Sequence, residues 1–203
     1  GITGVDAANL NAVNAKVDAV AKTDADTVPE VQALVDAGNI TADTALAKIA
    51  NYADSNTNPA PTVQDYIDAG ITGVDAANLN AVNAKVDAVA KTDADTVPEV
   101  QALVDAGNIT ADTALAKIAN YADSNTNPAP TVQDYLDAGI TGVDAANLNA
   151  VNAKVDAVAK TDADTVPEVQ ALVDAGNITA DTALAKIANY ADSNTNPAPT
   201  VQD

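Results

Sequence analysis

Apolar residues near the start of the chain recur at helical spacing. Leu10, Val13, Val17 and Val20 follow one another at intervals of three, four and three residues, which places them on one face of a helix. Asp6 is a suitable N-cap for it, and the pattern runs to about Lys22. The other face carries Asn9, Asn11, Asn14, Lys16 and Asp18 and is predicted to be solvated. The polar run 23–26 breaks the pattern. Thr27-Val28-Pro29-Glu30 then reads as a capping box, with proline where its missing N–H costs nothing. A second helix follows with Val28, Val31, Leu34 and Val35 on its apolar face, and Gly38 is placed to end it in a left-handed turn after Ala37. Thr41 is predicted to cap a third helix whose stripe is Ala45, Leu46, Ile49, Ala50 and Ala53.

Residues 54–61, DSNTNPAP, have no apolar period and contain two prolines. Proline stiffens the chain toward an extended conformation, so this segment is predicted to end the third helix and to act as a linker. Thr62 caps a short helix over 63–69 with Val63, Tyr66 and Ile67 on one side and Gly70 as its stop, and Ile71 and Val74 are predicted to pack beneath the turn. No segment alternates over four or more residues as a half-buried strand would. The predicted fold class is all-α: a tandem array of small three-helix bundles, each with an additional short leading helix.

The array follows from an internal repeat. The run beginning GITGVDAANLNAVNAKV starts at Gly1, Gly70 and Gly139, a period of 69 residues, and the copies differ only at Ile67 against Leu136. Taking residues 54–61 as the joint, the predicted boundaries are a truncated repeat at 1–56, complete repeats at 57–125 and 126–194, and the start of another at 195–203. Because the chain starts and stops within a repeat, it is read as a fragment of something longer, and the lack of a visible signal peptide carries little weight.

Composition narrows the chemistry. The chain has no His, Cys, Met, Trp or Phe, which removes the commonest general base, both soft metal ligands and every thiol nucleophile. Ser55 has no histidine to activate it. Tyrosine is the only aromatic, so the apolar and aromatic walls of an enzyme pocket are hard to build. The sequence therefore predicts no catalytic residue and no enzyme. The net charge of -20, from 29 acids against nine lysines, repels phosphate backbones and speaks against nucleic-acid partners. With no apolar run near 18 residues and no lysine-rich amphipathic stretch, no membrane contact is expected. The same charge predicts a soluble monomer whose partners are the neighbouring repeats of its own chain.

Two acidic groupings were weighed as metal sites. Asp54, Asn56 and Asn58 stand at positions one, three and five of a calcium-loop pattern with Asp65 at twelve, but Pro59 replaces the glycine that shapes such a loop and Asp65 the longer glutamate. Asp24, Asp26 and Glu30 are close in sequence, yet acids before and within a helix's first turn are accounted for by capping. No metal or cofactor is predicted, with calcium the one cation these residues would suit. Lys16, Lys22 and Lys48 read as solvated, and Tyr52 and Tyr66 as residues at the edge of the core rather than a binding pair.

PTVQDYIDAGITGVDAANLNAVNAKV, followed by ADTVPEVQALVDAG, resembles the helical tandem repeats found in very large surface adhesins of Gram-negative, often marine, bacteria. The likeness extends over the whole repeat. It implies an exported, extracellular protein at the bacterial cell surface, with the repeats forming a stalk between an anchored end and a distal adhesive region. Two other readings stand beside an extender: a tandem helical binding module for a host or matrix protein, gaining avidity from its copies, and an engineered consensus array, for which near-identity of the copies is the evidence.

Overall fold

A computed structural model describes residues 1–55, 57–122, 126–192 and 196–200, the side chain of Asp192 excepted. Among them all regular structure is helical, in accord with the all-α class: α1 (Leu10–Asp18), α2 (Val28–Tyr52), α3 (Val63–Asp68), α4 (Leu79–Asp87), α5 (Val97–Tyr121), α6 (Val132–Asp137), α7 (Leu148–Asp156) and α8 (Val166–Asp192). Three short 3-10 turns lie at Lys22–Asp24, Lys91–Asp93 and Lys160–Asp162.

Local chemistry sets most helix starts. The carboxylate of Glu30 accepts from the Thr27 amide at 3.0 Å and from its hydroxyl at 2.7 Å, opening α2. Thr62 and Asp65 do the same for α3, the Thr62 amide donating to Asp65 at 2.7 Å. Asp6 holds a turn ahead of α1: its Oδ1 accepts from the amides of Ala8 and Asn9 at 2.9 and 3.2 Å. The helix proper starts at Leu10 and stops at Asp18, shorter than the apolar pattern predicted. Gly70 ends the turn after α3 with φ of 75°, the left-handed conformation expected of it.

The chief correction concerns Gly38. Two helices were expected on either side of it, but α2 runs unbroken for 25 residues through Gly38, Asn39 and Thr41. Gly38 is buried inside the helix, and a Cβ built on it would lie 2.6 Å from Cα of Val13. The glycine is there to admit the backbone of α1, not to stop α2. Thr41 does not cap: its hydroxyl donates to the carbonyl of Ala37 one turn earlier, at 3.1 Å, a bond that threonine makes within helices. Gly107 repeats the arrangement, its would-be Cβ 2.7 Å from Cα of Val82.

The chain forms two compact units, Gly1–Ile109 and Thr110–Asp203, and the division between them falls within α5. In the first unit the core takes Ala45 and Ile49 from the second half of α2 and Ala53 just after it, Tyr66, Ala69 and Ile71 from α3 and its turn, Val82 and Val86 from α4, then Ala94, and Val100 and Val104 from the first half of α5. The second unit gathers the equivalent residues 69 positions on, from Ala114 and Ile118 to Val169 and Val173. Each core thus has a leading segment (42–69) and a trailing segment (70–109 and its counterpart), and its helical walls come from two successive long helices. Complete burial of a side chain such as Ile49 or Ile118 contributes about 1.5–3 kcal/mol. Residues 54–61, expected as a linker between modules, lie instead between two elements of one core, Ala53 before them and Tyr66 after them.

In an ordinary helix interior, changing glycine to alanine gains roughly 0.8–1 kcal/mol. At Gly107 the new methyl meets main chain, so G107A is expected to destabilise the chain by about 1–3 kcal/mol. A fall in thermal midpoint followed by circular dichroism checks this, and a rise would show that α4 does not need the close approach.

Candidate functional site

The most elaborate constellation of side chains is the seam where leading and trailing segments of a core meet. At its centre Tyr66, fully buried, donates through its hydroxyl to Oδ1 of Asn83 at 2.7 Å, and Nδ2 of Asn83 donates to the carbonyl of Pro61 at 3.0 Å. One amide thereby ties α4 to α3 and to the proline-rich segment. Tyr135, Asn152 and Pro130 repeat both bonds at 2.7 and 3.0 Å. Burial pushes the hydroxyls of Tyr66 and Tyr135 far above the ordinary tyrosine range, with neighbouring Tyr52 or Tyr121 and Asp65 or Asp134 adding to the effect. These hydroxyls are permanent donors.

Around this centre lie charged and amide contacts. Lys48 pairs with Asp65, the residue that also caps α3, and Lys117 pairs with Asp134. Partial burial alone would raise the pKa of Asp65, but hydrogen bonds from Lys48 and Thr62, aided by the lysine's charge, outweigh it and hold the carboxyl below its usual value. Lys91 donates to Oδ1 of Asn51 at 2.6 Å, joining the 3-10 turn of the trailing segment to α2. Within the trailing segment the side-chain amide of Gln101 makes a paired contact with Thr72, accepting from its amide and donating to its carbonyl, each at 3.0 Å. Gln32 clamps Thr3 in the same way, at 3.0 and 3.1 Å. The trailing segment is therefore pinned together in the first copy as in the later ones.

The residues of the two acidic groupings take structural roles. Asp65 is taken by Thr62 and Lys48, and Asn58 donates to the carbonyl of Asn51 at 2.6 Å. Asp54 is exposed with φ of 77°, and Asn56 lies outside the described residues. Asp24 closes a 3-10 turn, while Glu30 caps α2, a hydrogen bond from the Thr27 side chain being the main cause of its lowered pKa. Among the described residues no group of three carboxylates is placed to hold a metal ion. The Ser55 hydroxyl meets that of Thr57 at 3.0 Å and accepts from the Thr57 amide at 3.4 Å. A recess in the first unit is bordered by Asp6, Asn9, Asn39, Asp43, Leu46 and Ala69, with no nucleophile or base paired for chemistry. No described helix is long and apolar enough to cross a membrane.

Sequence reasoning placed Tyr66 at the core edge and missed its partner. Asn14 was assigned to the solvated face, and in the first copy it is exposed, but its counterparts Asn83 and Asn152 are only 8% and 7% exposed. The signal was available: Asn83 lies four residues after Leu79 and three before Val86, on the apolar stripe itself. Lys48, read as solvated, is an ion-pair partner instead. Comparison with protein-family models, curated proteins and solved structures gives no match to this chain.

Removing one hydroxyl from the seam leaves the buried Oδ1 of Asn83 without its donor. Y66F is expected to cost about 1–3 kcal/mol, read as a lower midpoint in chemical denaturation; an unchanged midpoint would mean that the bond is not formed. A second test uses pH. A carboxyl whose pKa is lowered on folding contributes stability that is present above its unfolded value, about 3.9, and lost as pH falls through the folded value. Below pH about 4 the thermal midpoint should fall more steeply for the natural chain than for D65N/D134N. Parallel profiles would remove the pairs from the account.

Proposed function

We propose that this chain is a run of non-catalytic extender repeats, the stalk of a bacterial surface adhesin, spacing a distal binding region from the cell. The observation that supports it best is the division of α5: Val100 and Val104 belong to one core, Ala114 and Ile118 to the next. A helix shared in this way hands each module a folded element of its neighbour, so repeats join without a structureless tether. The finer architecture we propose is accordingly a tandem array of helical modules that interlock through their long helices. The repeat copies make length a multiple of repeat number, which is the property a spacer needs. About seven net negative charges per repeat keep copies apart and hydrated.

The residues of the seam serve this role as braces. Tyr66, Asn83, Lys48 and Asp65 connect parts of one module to each other, and we assign them to holding the stalk, not to binding a ligand. Location at the cell surface and attachment to an adhesive tip come from the resemblance of the repeat to adhesin stalks.

Small-angle scattering tests the spacer reading. An extended array should give a radius of gyration well above the ~17 Å of one compact body of this length. Deleting residues 70–138 or adding one more copy should change the maximum dimension by equal steps, with no effect of calcium or a chelator. A value near ~17 Å, or a dimension insensitive to repeat number, contradicts the proposal.

A further inference from the structure

The recess in the first unit combines an apolar lining with an acidic rim. Ala42 and Ala69 are buried there, Leu46 and Val97 are half-buried, and Asp6 and Asp43 are exposed. Its cavity volume is about 270 Å³, just below the ~300 Å³ at which pockets for drug-sized ligands begin, and suited to a single aliphatic side chain. Beside it, one turn before Asp43 on α2, Ile40 is 67% exposed. Residues three apart on a helix are surface neighbours, so this isoleucine and the rim carboxylate form one continuous surface. Neither Asp6 nor Asp43 belongs to an ion pair among the described residues.

The pattern recurs. Every residue bordering the recess has a counterpart 69 positions on with the same degree of burial, and those counterparts have chain on both sides: Asp75 and Asp112 are exposed, Ala111 and Ala138 buried. Ile109 and Ile178, the counterparts of Ile40, are 69% and 68% exposed. One exposed isoleucine is ordinary on a protein surface. An isoleucine at the same exposure in each copy, always three residues before the same acid, marks a surface that the fold presents repeatedly.

We infer that this surface docks a basic segment of another protein, one lysine of which enters the recess. Its aliphatic stem lies over Leu46 and Val97, its ammonium is held by Asp6 and Asp43, and a neighbouring apolar residue of the partner covers Ile40. Charge complementarity selects the occupant. With a net charge of -20, the chain repels a second copy of itself as well as nucleic acid. Ile40 selects a protein segment over a free polyamine, which brings an ammonium but no apolar group to cover an isoleucine. The rim is preorganised: Asp6 is fixed by the amides of Ala8 and Asn9, and Asn9 donates to Asn39 of α2 at 2.7 Å, which lowers the ordering cost of docking. Repetition of the surface adds avidity to a small contact. The inference rests on the recess and Ile40 and does not require the spacer reading.

Titration calorimetry of the whole chain at about 0.15 M salt tests this with a peptide of repeating lysine-serine-leucine-serine, which presents lysine and leucine on one face when extended. Saturable binding is expected, with none for the same peptide carrying glutamate in place of lysine. D43N/D112N/D181N should weaken binding by about tenfold. D24N/D93N/D162N, which removes the same charge at exposed positions outside the recess, should change it by less than about twofold. I40S/I109S/I178S should weaken the peptide but not spermine, and circular dichroism checks that each variant keeps its helicity. Should a variant lose helicity, amide shifts of the natural chain decide instead: on adding peptide, Asp43, Leu46, Ala69 and Val97 should move. Equal losses in the two charge variants, spermine binding as tightly as the peptide, or shifts spread over acids away from the recess overturn the proposal.

Discussion

The structure depends on one constraint: neither α4 nor the short α3 can bury its apolar side without two long helices around it. α4 is nine residues and α3 six, lengths at which an isolated helix is not stable in water. The first core solves this by drawing buried residues from both the second half of α2 and the first half of α5. α5 then continues past Ile109 into the core of the second unit. The cut at residues 54–61 consequently does not coincide with the edge of a core. A core cut at residues 54–61 would lose Ala45, Ile49 and Ala53, three buried residues of its leading segment.

Small residues make the arrangement possible. With no Phe, Trp or Met, the core is filled by alanine, valine and isoleucine around a single buried tyrosine, so backbones must approach closely for packing to reach ordinary interior density. Gly107 against Val82 is the tightest of these approaches within a complete core. The buried Tyr66–Asn83 pair adds direction to a core that is otherwise chemically uniform. Apolar side chains of similar size could slide past one another, but an asparagine with both its oxygen and its nitrogen engaged accepts one register. Both acceptor and donor are satisfied, in keeping with the absence of unpartnered buried side-chain N or O atoms among the described residues.

Much of this was legible in the sequence. The helix class, the capping boxes at Thr27 and Thr62 and the left-handed stop at Gly70 all follow from local rules, because each acts within one turn of its own residues. What local rules could not supply was the neighbour. Gly38 and Gly70 look alike as helix stops and both lie against main chain, of Val13 and Ala8 respectively, but only Gly70 takes the left-handed φ while Gly38 stays within its helix. Asn83 is polar by composition but central by position, and its role requires Tyr66, 17 residues away in sequence. Asp65 of the calcium-like pattern makes a related point: it matches a loop position by spacing, whereas Thr62 and Lys48 claim it in space.

The central claim is that a module is completed across successive long helices, and two excised fragments of equal length test it most directly. Residues 42–110 contain every member of the first unit's core, from Ala45 to Val104; residues 57–125 follow the repeat as cut at the proline-rich segment and keep the whole of α5. Thermal unfolding of the two, followed by circular dichroism and amide proton dispersion, decides between them. The account predicts a cooperative transition and well-dispersed amides for 42–110, and a broad, weak transition for 57–125. Equal or greater stability of 57–125 would contradict the claim and return the module to the boundaries drawn from sequence.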